Sequence, residues 1–232
     1  MKIATWNLGK RIDLAQWKYL DGTIDADILF LQECNESFLS GLPSGYSVIF
    51  KKVPKLTSGV AIISKKMALM EVPFTAFPGR VAIATVPFKG KQLCLINIHN
   101  FPTGGKNVES DEYRSNLSGI LDKLAGIITT NKENLVLGGD TNVWLVCDRT
   151  KNYAAYDREE DRKLLKKINS LGLINSSDKE VDTHIKKSRE FPNDYLFACG
   201  CKILNYWVFD IPKNSNSRQP VSDHKPLLIE ID

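Results

Sequence analysis

No stretch of this 232-residue chain approaches the roughly 18 consecutive apolar residues that a membrane-crossing helix needs. The opening residues, MKIATWN, run at once into a strand pattern, with no long apolar leader and no small-residue cleavage site. No secretory signal is therefore expected, and the cytoplasm is the expected compartment. Cysteine spacing of the metal-binding kind is missing too. Cys34, Cys94, Cys147, Cys199 and Cys201 form an odd set without a CxxC pair, and read as reduced thiols rather than a disulfide frame. Cys199-Gly200-Cys201 is too close for a zinc pair and reads as a hairpin turn. Histidine is scarce, with three in the chain. Internal repeats, low-complexity tracts and linkers are absent, so residues 1–232 read as one domain. A strong charge bias is also lacking: 31 Lys and Arg against 27 Asp and Glu leave +4, which suits a polyanionic ligand without naming one.

What the chain does have is a succession of short apolar runs. Strands are predicted at 2–7, 27–32, 45–51, 59–64, 68–73, 81–87, 91–98, 134–138, 194–199, 202–209 and 225–231, divided by turn signals such as Ser58-Gly59, Pro78-Gly79 and Lys89-Gly90. Residues 13–21 read as a short helix with Leu14, Trp17 and Leu20 inward, and Asn35–Leu39 as a helical turn. The spacing of Tyr113, Leu117, Ile120, Leu121, Leu124, Ile127 and Ile128 predicts a helix over 110–129. A further helix over 158–171 places Leu164, Leu165, Ile168 and Leu171 on one face, with Gly172 as its C-terminal stop. Its charged face, Arg158 to Lys167, reads as solvated surface. A purely parallel wound sheet would need helices between most strands, and residues 45–98 contain none. The expectation is an α/β fold of two packed mixed sheets flanked by helices.

Six polar clusters stand at the ends of these runs. Trp6-Asn7, Gln32-Glu33, His99-Asn100 and Gly139-Asp140-Thr141-Asn142 follow an apolar run; Asn193-Asp194 and Ser222-Asp223-His224 precede one. If strands of both directions share the sheets, all six meet on one rim. Glu33 ends an otherwise apolar strand, where a charge is costly unless paired or bound to metal. Two glycines let the backbone approach a ligand closely before Asp140, and Asp140 and Asn142 are expected to share one face of an extended segment. A carboxylate beside His224 can orient its ring or raise its pKa, and the pair can then act on a phosphate or on water. His99 joins the set; His184 is expected at the surface. Oxygen donors for a hard cation beside His and Asn donors form a set that metal-assisted phosphoester hydrolysis needs.

In this order and at these strand ends, the clusters resemble those of the endonuclease/exonuclease/phosphatase superfamily, which includes DNase I-like nucleases, abasic-site endonucleases, inositol-polyphosphate phosphatases and sphingomyelinases. The resemblance runs from Trp6-Asn7 to the terminal strand. It implies a four-layer α/β sandwich and phosphoester hydrolysis with Mg2+, for which Mn2+ can substitute. It implies Glu33 as the main metal ligand, Asn7 as a helper, and Asp223 within reach of a metal. Asp140 would orient or deprotonate the attacking water, Asn142 would hold the phosphate or that water, and His224 would contact the scissile phosphate with Asp194 orienting its ring. His99 matches members that carry histidine where abasic-site enzymes carry tyrosine, and would contact substrate beside Asn7, Asn142 and His224. The chain departs from the family pattern at Pro192-Asn193-Asp194-Tyr195, where a basic neighbour of the aspartate is missing. Gly139-Asp140-Thr141-Asn142 with Val181-Asp182-Thr183 is similar to 5′-tyrosyl-DNA phosphodiesterases, except that Val181 stands in place of tryptophan.

The expected partner is nucleic acid, DNA more than RNA, held by Lys51–Lys55, Lys65-Lys66, Lys186–Arg189 and Lys213–Arg218, with Trp144 and Tyr153 placed to stack on a base or sugar. A small phosphorylated metabolite or lipid headgroup is the alternative substrate, although no amphipathic membrane helix is evident. A non-catalytic binding module is a third class, but such a module would be expected to have lost Glu33, Asp140 or His224. No membrane partner and a monomer are expected.

Overall fold

A computed structural model describes residues 1–9, 14–101, 110–143, 145, 155–177, 182–186, 189–214 and 219–232. The elements run β1 (Lys2–Asn7), α1 (Leu14–Tyr19), a π-helical turn (Leu20–Ile24), β2 (Ile28–Asn35), α2 (Glu36–Ser40), β3 (Ser47–Lys52), β4 (Ser58–Ser64), β5 (Met70–Glu71), β6 (Val81–Phe88), β7 (Lys91–His99), α3 (Ser110–Thr130), β8 (Leu135–Asp140), α4 (Ala155–Ser170), β9 (Ile174–Asn175), β10 (His184–Lys186), β11 (Arg189–Phe191), β12 (Asp194–Cys199), β13 (Ile203–Val208) and β14 (Leu227–Ile231). Among the described residues, no helix is long and apolar enough to cross a membrane.

Two six-stranded mixed sheets carry the fold, ordered β13-β14-β1-β2-β4-β3 and β5-β6-β7-β8-β12-β9. Each contains a parallel pair, β1 with β2 and β7 with β8, among antiparallel neighbours. The central strands read as continuous apolar runs because both of their faces are covered, whereas the edge strands β5, β9 and β13 leave Met70, Ile174 and Trp207 exposed. In β7, Leu93 and Leu95 face the layer between the sheets while Cys94, Ile96 and Ile98 face α3 and α4. In the first sheet, Ile3, Ile28 and Phe30 face the inter-sheet layer while Ala4, Trp6, Leu29 and Leu31 pack with Leu20, Ile24 and Phe38 on the other side. The result is the expected four layers: helix, sheet, sheet, helix.

Local side-chain and backbone signals bound the helices. Asn35 caps α2, its Oδ1 accepting from Phe38 N at 2.8 Å. Gly172 ends α4 with φ +79°, the left-handed position glycine fills cheaply. Three readings change. Cys199-Gly200-Cys201 is not a hairpin turn: β12 and β13 lie in different sheets, so the chain crosses the sandwich there. The charged face of α4 is not wholly solvated, since Asp161 is buried and accepts from the buried Arg114 Nε of α3 at 2.6 Å. Asp161 lies three and seven residues before Leu164 and Ile168, on the packing stripe itself. The short hairpin β10–β11 was not anticipated.

Candidate active site

The four strands β1, β2, β7 and β8 deliver their C-terminal ends to one rim, and the antiparallel β12 and β14 begin there. The six clusters therefore converge from both sheets. Asn7 Nδ2 donates to Asp140 Oδ2 at 2.9 Å, across from one sheet to the other. His224 Nδ1 donates to Asp194 Oδ2 at 2.8 Å, again between sheets. His99 Nε2 lies 3.9 Å from Glu33 Oε1 and 3.8 Å from Asp140 Oδ2.

Glu33 reaches this rim through a break in its strand. The β2–β4 register shifts between Leu31 and Cys34, and Glu33 takes φ +52°. A bulge of this kind re-aims one side chain. Gln32, next to it, turns inward and donates to Asn97 Oδ1 at 2.7 Å and Thr5 Oγ1 at 3.0 Å. Asn97 in turn donates to the carbonyls of Leu31 and Ala61. A non-glycine residue held at positive φ costs on the order of 1–3 kcal/mol and is concentrated at functional sites.

Asp140 is buried and held by four groups. Its Oδ1 accepts from Asn142 N at 2.9 Å and its Oδ2 from Asn7 Nδ2, with His224 Nε2 at 3.9 Å and His99 Nε2 at 3.8 Å. Burial raises its pKa and Asp194 adds to that, while His224, Asn7 and Asn142 pull it down. The segment after it is not extended, contrary to expectation. Asn142 has φ +51°, and the chain turns because the Asp140 side chain accepts from Asn142 N two residues on. Asn142 Nδ2 then donates to Asn100 O at 3.1 Å. Gly139 is required by its neighbours: a Cβ there would meet Ile98 O at 1.9 Å.

His224 is buried, and burial alone would lower its pKa, but the Asp194 and Asp140 carboxylates outweigh that and hold it well above its ordinary value. Ser222 Oγ donates to Asn7 O at 2.6 Å and accepts from His224 N at 3.0 Å; Trp6 Nε1 donates to His224 O at 2.7 Å. His184 is not a plain surface residue. Its ring stacks on that of His224 at 4.4 Å between centroids, and its Nε2 lies 3.5 Å from Asp223 Oδ2. Asn193 Nδ2 donates to its Nδ1 at 3.1 Å, so the asparagine next to Asp194 supports a second histidine. The approach of His184 Nε2 to its carboxylate is the main reason the Asp223 carboxyl is lowered to about 2. Sequence reasoning also missed Arg80, whose Nη1 lies 3.2 Å from His99 Nδ1; the Pro78-Gly79 turn signal beside it was its only trace.

The oxygens of Glu33, Asn7 and Asp223 suit a hard divalent cation that keeps part of its water shell. Asn7 Oδ1 accepts from Gly9 N at 3.0 Å, which leaves that oxygen a second lone pair. Asp140, Asp194 and His224 also lie close enough together to ligate a metal, as do His184, Asp223 and His224. In the first trio His224 Nδ1 and Asp194 Oδ2 are committed to each other. The basic clusters are less open than expected. Lys51 pairs with Glu71, Lys52 with Glu36, and Lys65 with Asp21 and Asp25. Trp144, Tyr153, Cys147, Val181 and parts of the Lys186–Arg189 and Lys213–Arg218 clusters lie outside the described residues.

Residues 4–224 match the Endonuclease/Exonuclease/phosphatase family. Solved structures share the fold at low identity. The 3′ phosphatase NExo of Neisseria, bound to a product DNA hairpin, superposes with a TM-score of 0.72 at 21% identity, covering 100% of this chain and 99% of that one. An AP endonuclease from Archaeoglobus fulgidus gives 0.68 at 22%, covering 100% and 99%. A truncated TDP2 from Caenorhabditis elegans gives 0.67 at 17%, covering 99% and 96%. No curated protein sequence matches the chain.

Proposed function

The chain belongs to the endonuclease/exonuclease/phosphatase family, and from that premise we propose that this phosphoester hydrolase cleaves phosphodiester bonds of nucleic acid, DNA ends foremost, by in-line attack of water. The observation that carries the reading is the convergence of Asn7, Glu33, His99, Asp140, Asp194 and His224 from two sheets onto one rim. Neighbours of the same fold include a phosphatase bound to a DNA product.

Glu33, with Asn7 and Asp223, would hold the magnesium or manganese ion. When bound, that ion neutralises charge on the phosphate and on the leaving oxygen. Asp140, fixed by Asn7 and Asn142, orients water and takes its proton; burial makes it a stronger base than an exposed aspartate. His224, held by Asp194, donates to a phosphoryl oxygen as charge develops there. Asn142 offers its second amide hydrogen, and His99 a ring N–H, to the same group. The free thiols Cys34, Cys94, Cys199 and Cys201 suit a reducing compartment such as the cytoplasm. The carboxylate partners of Lys51, Lys52 and Lys65 favour the second reading, a small phosphoester substrate, because their charge is already compensated.

The test is cleavage of supercoiled plasmid, 5′-labelled oligonucleotides and bis-p-nitrophenyl phosphate with magnesium, manganese or EDTA. Asp140→Asn is expected to lower turnover by at least about 100-fold with an unchanged thermal melt. Metal-dependent DNA cleavage lost in that variant supports the nuclease. Cleavage of the small ester alone points to the second reading, and wild-type rates in Asp140→Asn refute the site.

A further inference from the structure

Arg80 decides how His99 can act. It sits in the turn that opens β6, and its carbonyl accepts from His99 N at 2.8 Å. Its Nη1 lies 3.2 Å from His99 Nδ1, and its guanidinium lies over the Phe101 ring, 5.0 Å from the centroid. Arginine carries donors and no acceptor, and it stays protonated in proteins. The ring nitrogen it faces must therefore accept. The other nitrogen, Nε2, faces Glu33 Oε1 at 3.9 Å and Asp140 Oδ2 at 3.8 Å. Carboxylate oxygens accept, so they favour a hydrogen on Nε2. Both flanks of the ring select the same tautomer.

We propose that Arg80 is a positioning residue that holds His99 as its Nε2–H tautomer, so that the ring presents one fixed donor between Glu33 and Asp140 to a phosphoryl oxygen of the substrate. His224 is arranged the other way round, because its Nδ1 faces the Asp194 carboxylate and carries the hydrogen. The two rim histidines thus differ in which nitrogen is committed to the protein, and each leaves Nε2 toward Asp140. Arg80 is itself half-sheltered by Phe101, which limits the rotamers from which it can donate. The catalytic consequence rests on the phosphoesterase reading; the tautomer does not.

The experiment is a long-range imidazole 1H–15N correlation on 15N-labelled protein at mildly alkaline pH, with His99→Gln to assign the ring. Wild type is compared with Arg80→Met and Arg80→Lys, and kcat and KM are measured on the substrate found above. Wild-type His99 should show a protonated Nε2 and an unprotonated Nδ1. In Arg80→Met both nitrogens should move toward a mixed tautomer, and kcat should fall on the order of 10–100-fold while KM stays within about threefold. Arg80→Lys should recover part of both, which a merely structural role would not produce. A hydrogen on Nδ1 in the wild type overturns the proposal, as does an unchanged His99 signature in Arg80→Met. If Arg80→Met fails to fold, the wild-type spectrum still decides, because a hydrogen on Nδ1 there overturns the proposal by itself. If the spectra follow expectation and the wild type cleaves no phosphoester, the tautomer assignment stands and the phosphoesterase reading falls.

Discussion

Asp140 shows how much of the rim's chemistry is set by burial. A carboxylate taken out of water loses several kcal/mol of solvation unless donors replace it. Asn7 and the Asn142 amide supply those donors, and His224 supplies the opposing charge. All three come from clusters visible in the sequence, so Asp140's surroundings were largely legible there. Burial acts on cysteine in the same direction. It pushes the Cys34 and Cys94 thiols up to about 12, so both stay protonated and unreactive at neutral and mildly alkaline pH. Iodoacetamide at about pH 8, where an ordinary thiol is partly ionised, is expected to spare both in the native protein and to modify both in guanidinium. Peptide mass spectrometry reads this directly, and native labelling at either position would contradict its burial. His184 was misjudged because its role lies in stacking on His224, forty residues on, and no local pattern encodes that contact.

At the scale of an element, the bulge in β2 is the decisive device. An unbroken strand would have continued the alternation of Phe30, Leu31 and Gln32 and turned Glu33 to one sheet face. The register shift and the left-handed φ of Glu33 free it for the rim. Glycine tolerates that conformation and alanine does not. Glu33→Gly is therefore expected to be more stable than Glu33→Ala by about 1 kcal/mol in urea unfolding, with both variants losing most activity and excess metal restoring part of it. Equal stability of the two would mean that position 33 is unstrained. The end of β8 makes the opposite demand. Gly139, at φ +134°, lies against Ile98 O, and Gly139→Ala should cost on the order of 3 kcal/mol or more, read in the same unfolding experiment. The glycine pair was visible in sequence, but its reason was expected to be a ligand, whereas the structure shows the neighbouring strand.

Across the whole molecule, the site exists only where two sheets meet. Asn97 of β7 reaches over to the other sheet, accepting from Gln32 and donating to Leu31 O and Ala61 O. Asn97→Ala would orphan buried groups on both sides and is expected to cost on the order of 3 kcal/mol and to lower turnover by loosening the bulge below Glu33. A urea midpoint within error of wild type would show that the sheets hold together without this bridge. The sequence by itself determined most of the strands, the two long helices, the packed mixed sheets and the six clusters at strand ends, but not the short β9, β10 and β11. What it determined follows from short continuous apolar runs, turn residues and helical spacing, all of which are local. Only the tertiary structure decided that β12 and β13 lie in different sheets, that Asp161 is buried against Arg114, that Lys51, Lys52 and Lys65 already have carboxylate partners, and that Arg80 and His184 stand against the rim histidines. Each of these depends on which distant segments the sandwich brings into contact, and pairing at a distance leaves no period in a single chain to read.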